Sequence, residues 1–66
     1  MHIQLNGEAR EVPEGTTLAD LLRSSRAPAA GIAVEVNLEL VRRAEWETRR
    51  LGPGDRVEVV ALVGGG

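Results

Sequence analysis

The chain has 66 residues, of which 27% are charged, with a formal charge of -2 and no cysteine. A chain of this size holds one thin core and buries only about 60% of its unfolded surface. Multi-domain enzymes, disulfide frameworks, thiol nucleophiles and thiolate metal sites are therefore excluded. Acids and bases are interspersed and Trp46 is the sole aromatic residue, so the sequence offers neither a basic stripe nor a stacking platform for nucleic acid.

No apolar run has the length of a membrane span, and no basic-then-apolar leader opens the chain. The expectation is a cytoplasmic protein without a membrane partner. His2 is the only histidine, and a lone imidazole without convergent ligands predicts no metal site. All basic side chains are arginine, so lysine amines on sister molecules are unavailable to trap an activated carboxyl.

The opening segment alternates apolar Met1, Ile3 and Leu5 with polar residues, places Asn6-Gly7 at a two-residue turn, and resumes toward Val12. This pattern predicts a β-hairpin with a type I′ turn. Pro13 and Gly15 end its second strand. Thr17, with Asp20 three residues on, resembles a capping box, and Leu18, Leu21 and Leu22 follow at helical spacing. Ser24, Ser25, Pro28 and Gly31 keep that helix short.

Ile32, Val34 and Val36 next alternate on one strand face, Asn37 starts a turn, and Leu38–Val41 reads as a brief strand. The polar stretch around Trp46 is suited to one helical turn with the indole laid over an edge. Gly52-Pro53-Gly54-Asp55 is a dense turn signal, and the β-branched run after it is a final strand. With Val57, Val59 and Ala61 facing inward, Val60 and Leu62 face outward as a possible docking surface.

Hairpin, helix, strand, short strand and final strand make an α+β arrangement, with one helix covering a mixed sheet of four to five strands. This is the β-grasp, or ubiquitin-like, order. Residues 1–66 read as a single domain, with 64–66 a flexible glycine tail.

Enzymatic chemistry has little to stand on: no cysteine, no accompanied histidine, and no glycine loop followed by Lys-Ser or Lys-Thr. Glu45 and Glu47 read as a solvated face. The glycine tail leaves two readings open, a frayed end or the working part of the molecule. A terminal carboxylate is ionised and a poor acyl donor at neutral pH, so the second reading requires activation by a partner. Glycine suits such a role, having little bulk and no stereocentre to racemise, and three extended residues reach about 10 Å beyond the last strand.

The segments "IQLNG", "TLADLL", "IAVEVN", "RAEW" and "LGPGDRVEVVALVGGG" together resemble the ThiS/MoaD ubiquitin-like family of sulfur carriers, and within it the carriers of thiamine biosynthesis. The resemblance covers essentially the whole chain. Its more specific elements are the Val36-Asn37 turn followed by Arg43 and Trp46, and the Gly-Asp-x-Val-Glu run leading to the glycines. Arg42 departs from the proline often found there.

The resemblance implies a carrier that is not itself an enzyme and is monomeric when free. A ThiF-type adenylyltransferase using ATP and magnesium would activate Gly66, the carrier binding no cofactor of its own. Sulfur from a cysteine desulfurase system would give a C-terminal thiocarboxylate, and thiazole synthase, ThiG, would accept that sulfur. Gly65 and Gly66 carry over as the activated tail; Gly64 and the surface of Val60, Leu62 and Val63 are expected to engage partners. Alternatives are a carrier serving molybdopterin synthase, tRNA thiolation or a secondary metabolite, a plain ubiquitin-like interaction module, and a protein conjugated to other proteins.

Overall fold

A computed structural model describes residues 1–28 and 30–62. Strands β1 (His2–Leu5) and β2 (Glu8–Glu11) form the expected hairpin, with Leu5 opposite Glu8. Its turn has φ of +50° at Asn6 and +82° at Gly7, the doubly positive backbone of a type I′ turn, whose twist matches that of paired strands. Ile3 and Leu5 are buried, whereas all of β2 is exposed.

Helix α1 (Leu18–Ser24) opens on a complete capping box. The Thr17 hydroxyl accepts from the Asp20 amide at 3.1 Å, and the Asp20 carboxylate accepts from the Thr17 amide at 3.1 Å. Leu18, Leu21 and Leu22 are buried against the sheet. The helix stops in a Schellman arrangement: the Arg26 amide donates to the Arg23 carbonyl and the Ala27 amide to the Leu22 carbonyl, with Arg26 at φ +60°.

Strand β3 (Ile32–Val36) buries alternate residues as expected. The brief strand expected over Leu38–Val41 shortens to β4, Glu39–Leu40, because Leu38 belongs to the turn. Asn37 and Leu38 have φ of +53° and +70°, and Val36 pairs with Glu39, so this is a second type I′ hairpin. A 3₁₀ turn at Arg43–Glu45 then brings in Trp46. The indole N–H donates to the Val41 carbonyl at 2.9 Å, and the Arg43 guanidinium lies 5.0 Å from the ring centroid.

At the last turn the Asp55 amide donates to the Gly52 carbonyl at 3.1 Å, with Gly54 at φ +82°, the geometry of a type II turn. Strand β5 (Arg56–Ala61) follows. The sheet order is β2-β1-β5-β3-β4, with β5 parallel to β1 and antiparallel to β3. Ile3, Leu18, Leu21, Val34, Val36 and Val57 form the most deeply buried set between the helix and one face of the five-stranded sheet. This is the β-grasp arrangement expected.

The inward face of β5 loses its cover toward the end of the strand. Val57 is buried and Val59 half-buried, but Ala61, although it stands opposite buried Ile32 on the same face, is exposed. The reason is geometric: β1 pairs with β5 only at Arg56 and Val57, so the end of β5 runs past the core.

Candidate functional site

The candidate site is built on the last residues of β5, from which the chain passes toward its glycines. The register fixes how they are held. The Leu62 amide donates to the Gly31 carbonyl at 2.7 Å, and the Asn37 amide to the Arg56 carbonyl at 2.8 Å. By antiparallel alternation, residues 58, 60 and 62 turn their backbone groups toward β3.

Two turn asparagines add clips. The Asn37 side chain accepts from the Arg56 amide at 3.0 Å and donates to the Asp55 carboxylate at 3.0 Å. On the other side of β5, the Asn6 amide donates to the Val57 carbonyl at 2.9 Å, and its side-chain oxygen accepts from the Val59 amide at 2.8 Å. Both hairpin turns thus hold the strand that leads to the tail.

Val60 and Leu62 point away from the helix as the sequence indicates, 49% and 59% exposed. The register sets Ala33 opposite Val60 and Leu40 opposite Glu35, so these residues share the outer face with them. Leu40 is 66% exposed and Leu38, in the adjoining turn, 81%. Sequence reasoning did not include these two leucines in the surface. The signal was present for Leu40, because inward Val41 places its neighbour outward.

The same face carries an electrostatic oddity. Glu35 and Glu58 stand directly opposite one another, and neither forms an ion pair among the described residues. Like charges in that position oppose sheet formation. With exposed Val60 on one side of Glu58 along the strand and exposed Arg56 on the other, the face is a mixed apolar and charged surface.

Val63, Gly64, Gly65 and Gly66, the other expected site residues, lie outside the described residues. Elsewhere, Asp20 is held below the ordinary carboxylate range by the hydrogen bond from the Thr17 backbone, then by the Thr17 side chain and Arg23. Arg23 is shifted upward, first by Glu47 and then by Asp20. Both lie on helix α1, Asp20 in its N-terminal cap and Arg23 in its last turn, rather than on the outer sheet face. A groove of about 260 Å³ between the helix and Trp46 is lined by Ala19, Leu22, Pro28 and the Arg23–Glu47 pair. Among the described residues no cluster of three potential metal ligands occurs, and no helix is long and apolar enough to cross a membrane.

Comparison with known proteins agrees with this geometry. The chain is 44% identical to the sulfur carrier protein ThiS of Thermus thermophilus over 64 residues, covering 97% of this chain and 98% of that protein. It is 35% identical over 66 residues to a thiazole synthase of Paramagnetospirillum magneticum, matching all of this chain but spanning only 20% of that protein. The crystal structure of the thiamine biosynthesis protein ThiS from Geobacter metallireducens superimposes with a TM-score of 0.87 at 29% identity, covering 100% of both chains. The sequence model of the ThiS family matches residues 3–66. From its β-grasp frame to the final glycines, the chain belongs to the ThiS family.

Proposed function

We propose that the chain is a sulfur carrier of thiamine biosynthesis that works through the carboxyl of Gly66. The observation that carries this reading is the placement of β5. A strand anchored on the core through Val57 runs past that core and exposes Val60 and Leu62, the last described residues before Val63 and the glycines in the sequence.

The carrier chemistry requires a free carboxyl at Gly66. In the proposed cycle, a carboxylate oxygen attacks the α-phosphorus of magnesium ATP in a ThiF-type partner, expelling pyrophosphate and leaving an acyl adenylate. A sulfur nucleophile supplied through a cysteine desulfurase displaces AMP. Where that nucleophile is a persulfide the adduct is an acyl disulfide, and attack of a second thiol on the donor-side sulfur releases the thiocarboxylate and leaves a disulfide on the donor; the thiocarboxylate sulfur is then passed to thiazole synthase. The carrier's own residues supply no acid, base or nucleophile other than this terminus. The outer face formed by Val60, Leu62 and Leu40 docks the partners, and Gly64 and Gly65, which carry no side chain, suit a terminus that enters a narrow channel.

The test is intact-mass measurement after incubation with the activating enzyme, ATP, magnesium and a sulfur source. The expected result is a gain of about 16 Da at Gly66, the difference between sulfur and oxygen in the acyl group. An unchanged mass with a demonstrably active partner and a free Gly66 carboxyl would overturn the reading. The thiazole synthase partnership predicts that the thiocarboxylated chain loses this mass on incubation with thiazole synthase and its other substrates.

A further inference from the structure

The side of β5 that faces away from β3 is only partly used. Because residues 58, 60 and 62 turn toward β3, residues 57, 59 and 61 present their amides and carbonyls to the β1 side. Strand β1 ends at Leu5, opposite Val57. The Asn6 side chain then takes the Val59 amide at 2.8 Å, in the place where a further backbone carbonyl of β1 would stand. Beyond it, the Val59 carbonyl and the Ala61 amide and carbonyl have no backbone partner among the described residues.

We propose that this open edge, at Val59–Ala61, receives an extended segment of thiazole synthase as an added strand. The identity of the partner rests on the sulfur-carrier reading above; the geometry of the edge does not. Three lines of observation select an extended polypeptide. First, the free groups are backbone donors and acceptors at strand spacing, which an extended main chain matches. Second, the edge lacks the usual protection. At the other end of the sheet, β2 exposes Glu8, Arg10 and Glu11, the charged side chains that discourage strand addition. Val59, Val60 and Ala61 carry no charge, and no proline or bulge interrupts them.

Third, the edge opens beside a groove of about 320 Å³, bounded by Asn6, Glu8 and Arg10 of the hairpin and by Arg26 and Pro28 after the helix, with Val59 in its wall. Glu8, Arg10 and Arg26 form no ion pairs among the described residues. The two guanidiniums outnumber the carboxylate, so the groove favours a segment bearing an acidic side chain. Since β5 leads directly toward the glycines, a strand bound here would fix the direction in which the tail enters the partner.

The experiment combines amide exchange with one substitution. In the free protein the Ala61 amide exchanges rapidly, while the Leu62 amide, bonded to Gly31, is protected. On binding thiazole synthase, Ala61 should gain at least about tenfold protection, as expected for a newly formed backbone hydrogen bond. Ala61→Pro removes a donor that the β3–β5 ladder does not use, at the kind of edge position where proline is tolerated. Its affinity for thiazole synthase should fall about threefold to tenfold, the loss of one net hydrogen bond.

An Ala61 amide that stays unprotected in the complex would overturn the proposal, as would wild-type affinity in a folded Ala61→Pro variant. If that variant does not fold, the exchange measurement on the wild-type chain decides alone. Failure of the wild-type chain to bind thiazole synthase overturns this partner assignment. Failure of the separate mass-gain and sulfur-transfer assays overturns the carrier reading itself.

Discussion

Replacing Leu38 by glycine should make the protein more stable although it removes a large apolar side chain. Leu38 sits at φ +70° in the second position of its turn and is 81% exposed, so its side chain contributes little burial. A left-handed backbone costs an L-residue with a Cβ about 1–2 kcal/mol, which glycine avoids. Against this, glycine loses more chain entropy on folding, about 0.5–1 kcal/mol. The balance is a gain of about 0.5–1 kcal/mol, which for a domain this small raises the melting temperature by about 2–8 °C. The hairpin at Asn6-Gly7 is an internal precedent, with the same turn and with glycine at φ +82° in the equivalent position. Thermal unfolding followed by circular dichroism reads the shift. An unchanged or lower melting temperature for Leu38→Gly would show that Leu38 contributes to the fold through contacts its exposure does not suggest. Because Leu38 adjoins the proposed docking face, the proposed function predicts that the same variant binds the activating enzyme more weakly while melting later, a trade of stability against function.

Leu21→Ala should cost about 2–5 kcal/mol, comparable with the roughly 3–10 kcal/mol available to a chain of this length; urea titration should show a largely unfolded population at 37 °C. Glu58→Gln relieves the like-charge pairing with Glu35 and should stabilise by about 0.2–1 kcal/mol, a gain that shrinks when the denaturation is repeated in high salt. The Asp20 carboxyl has a folded-state pKa below its unfolded value, so its stabilisation is complete above the unfolded pKa, about 3.9, and is lost as pH falls through the lower folded value. The difference in melting temperature between wild type and Asp20→Ala should accordingly be constant near neutrality and narrow below about pH 4; a difference that widens on acidification would contradict the capping geometry.

The elements legible in the sequence were those specified by local chemistry. Asn6-Gly7 marks a type I′ turn because both residues tolerate positive φ, and Thr17 with Asp20 marks a helix start because each side chain reaches the other's amide. Ile32, Val34 and Val36 declare a half-buried strand through their period of two. Less legible were positions where tertiary context overrode preference. Leucine is not a left-handed residue, so nothing at Leu38 announced a turn, and Arg26 fills the helix-stop position that glycine usually occupies. The parallel pairing of β1 with β5 joins strands some fifty residues apart, and its early end at Val57 leaves Ala61 exposed. Within the candidate site, the outward set of Val60 and Leu62 followed from alternation alone. Leu40 was open to the same argument, because inward Val41 turns its neighbour outward, whereas exposed Leu38 carried no such signal, and the role of Gly66 rests on chemistry rather than on any pattern of burial.

Strand β5 concentrates the relation between stability and proposed function in six residues. Its inward side places Val57 in the core, and its hydrogen bonds to β3 make it a central strand of the sheet. Its outward side contributes Val60 to the proposed docking face, Leu62 continuing that face just beyond the strand, and side chains from the two hairpin turns hold its start at Arg56 and its middle at Val59. A substitution at Val57 should therefore act on folding, whereas under the proposed function one at Val60 or Leu62 should act on association while leaving the buried set intact. A carrier that visits an activating enzyme and then a sulfur acceptor must present one terminus to different active sites without unfolding between them. A strand fixed by the core and open on its remaining surfaces meets that demand: the fold supplies direction, and the partners supply the chemistry.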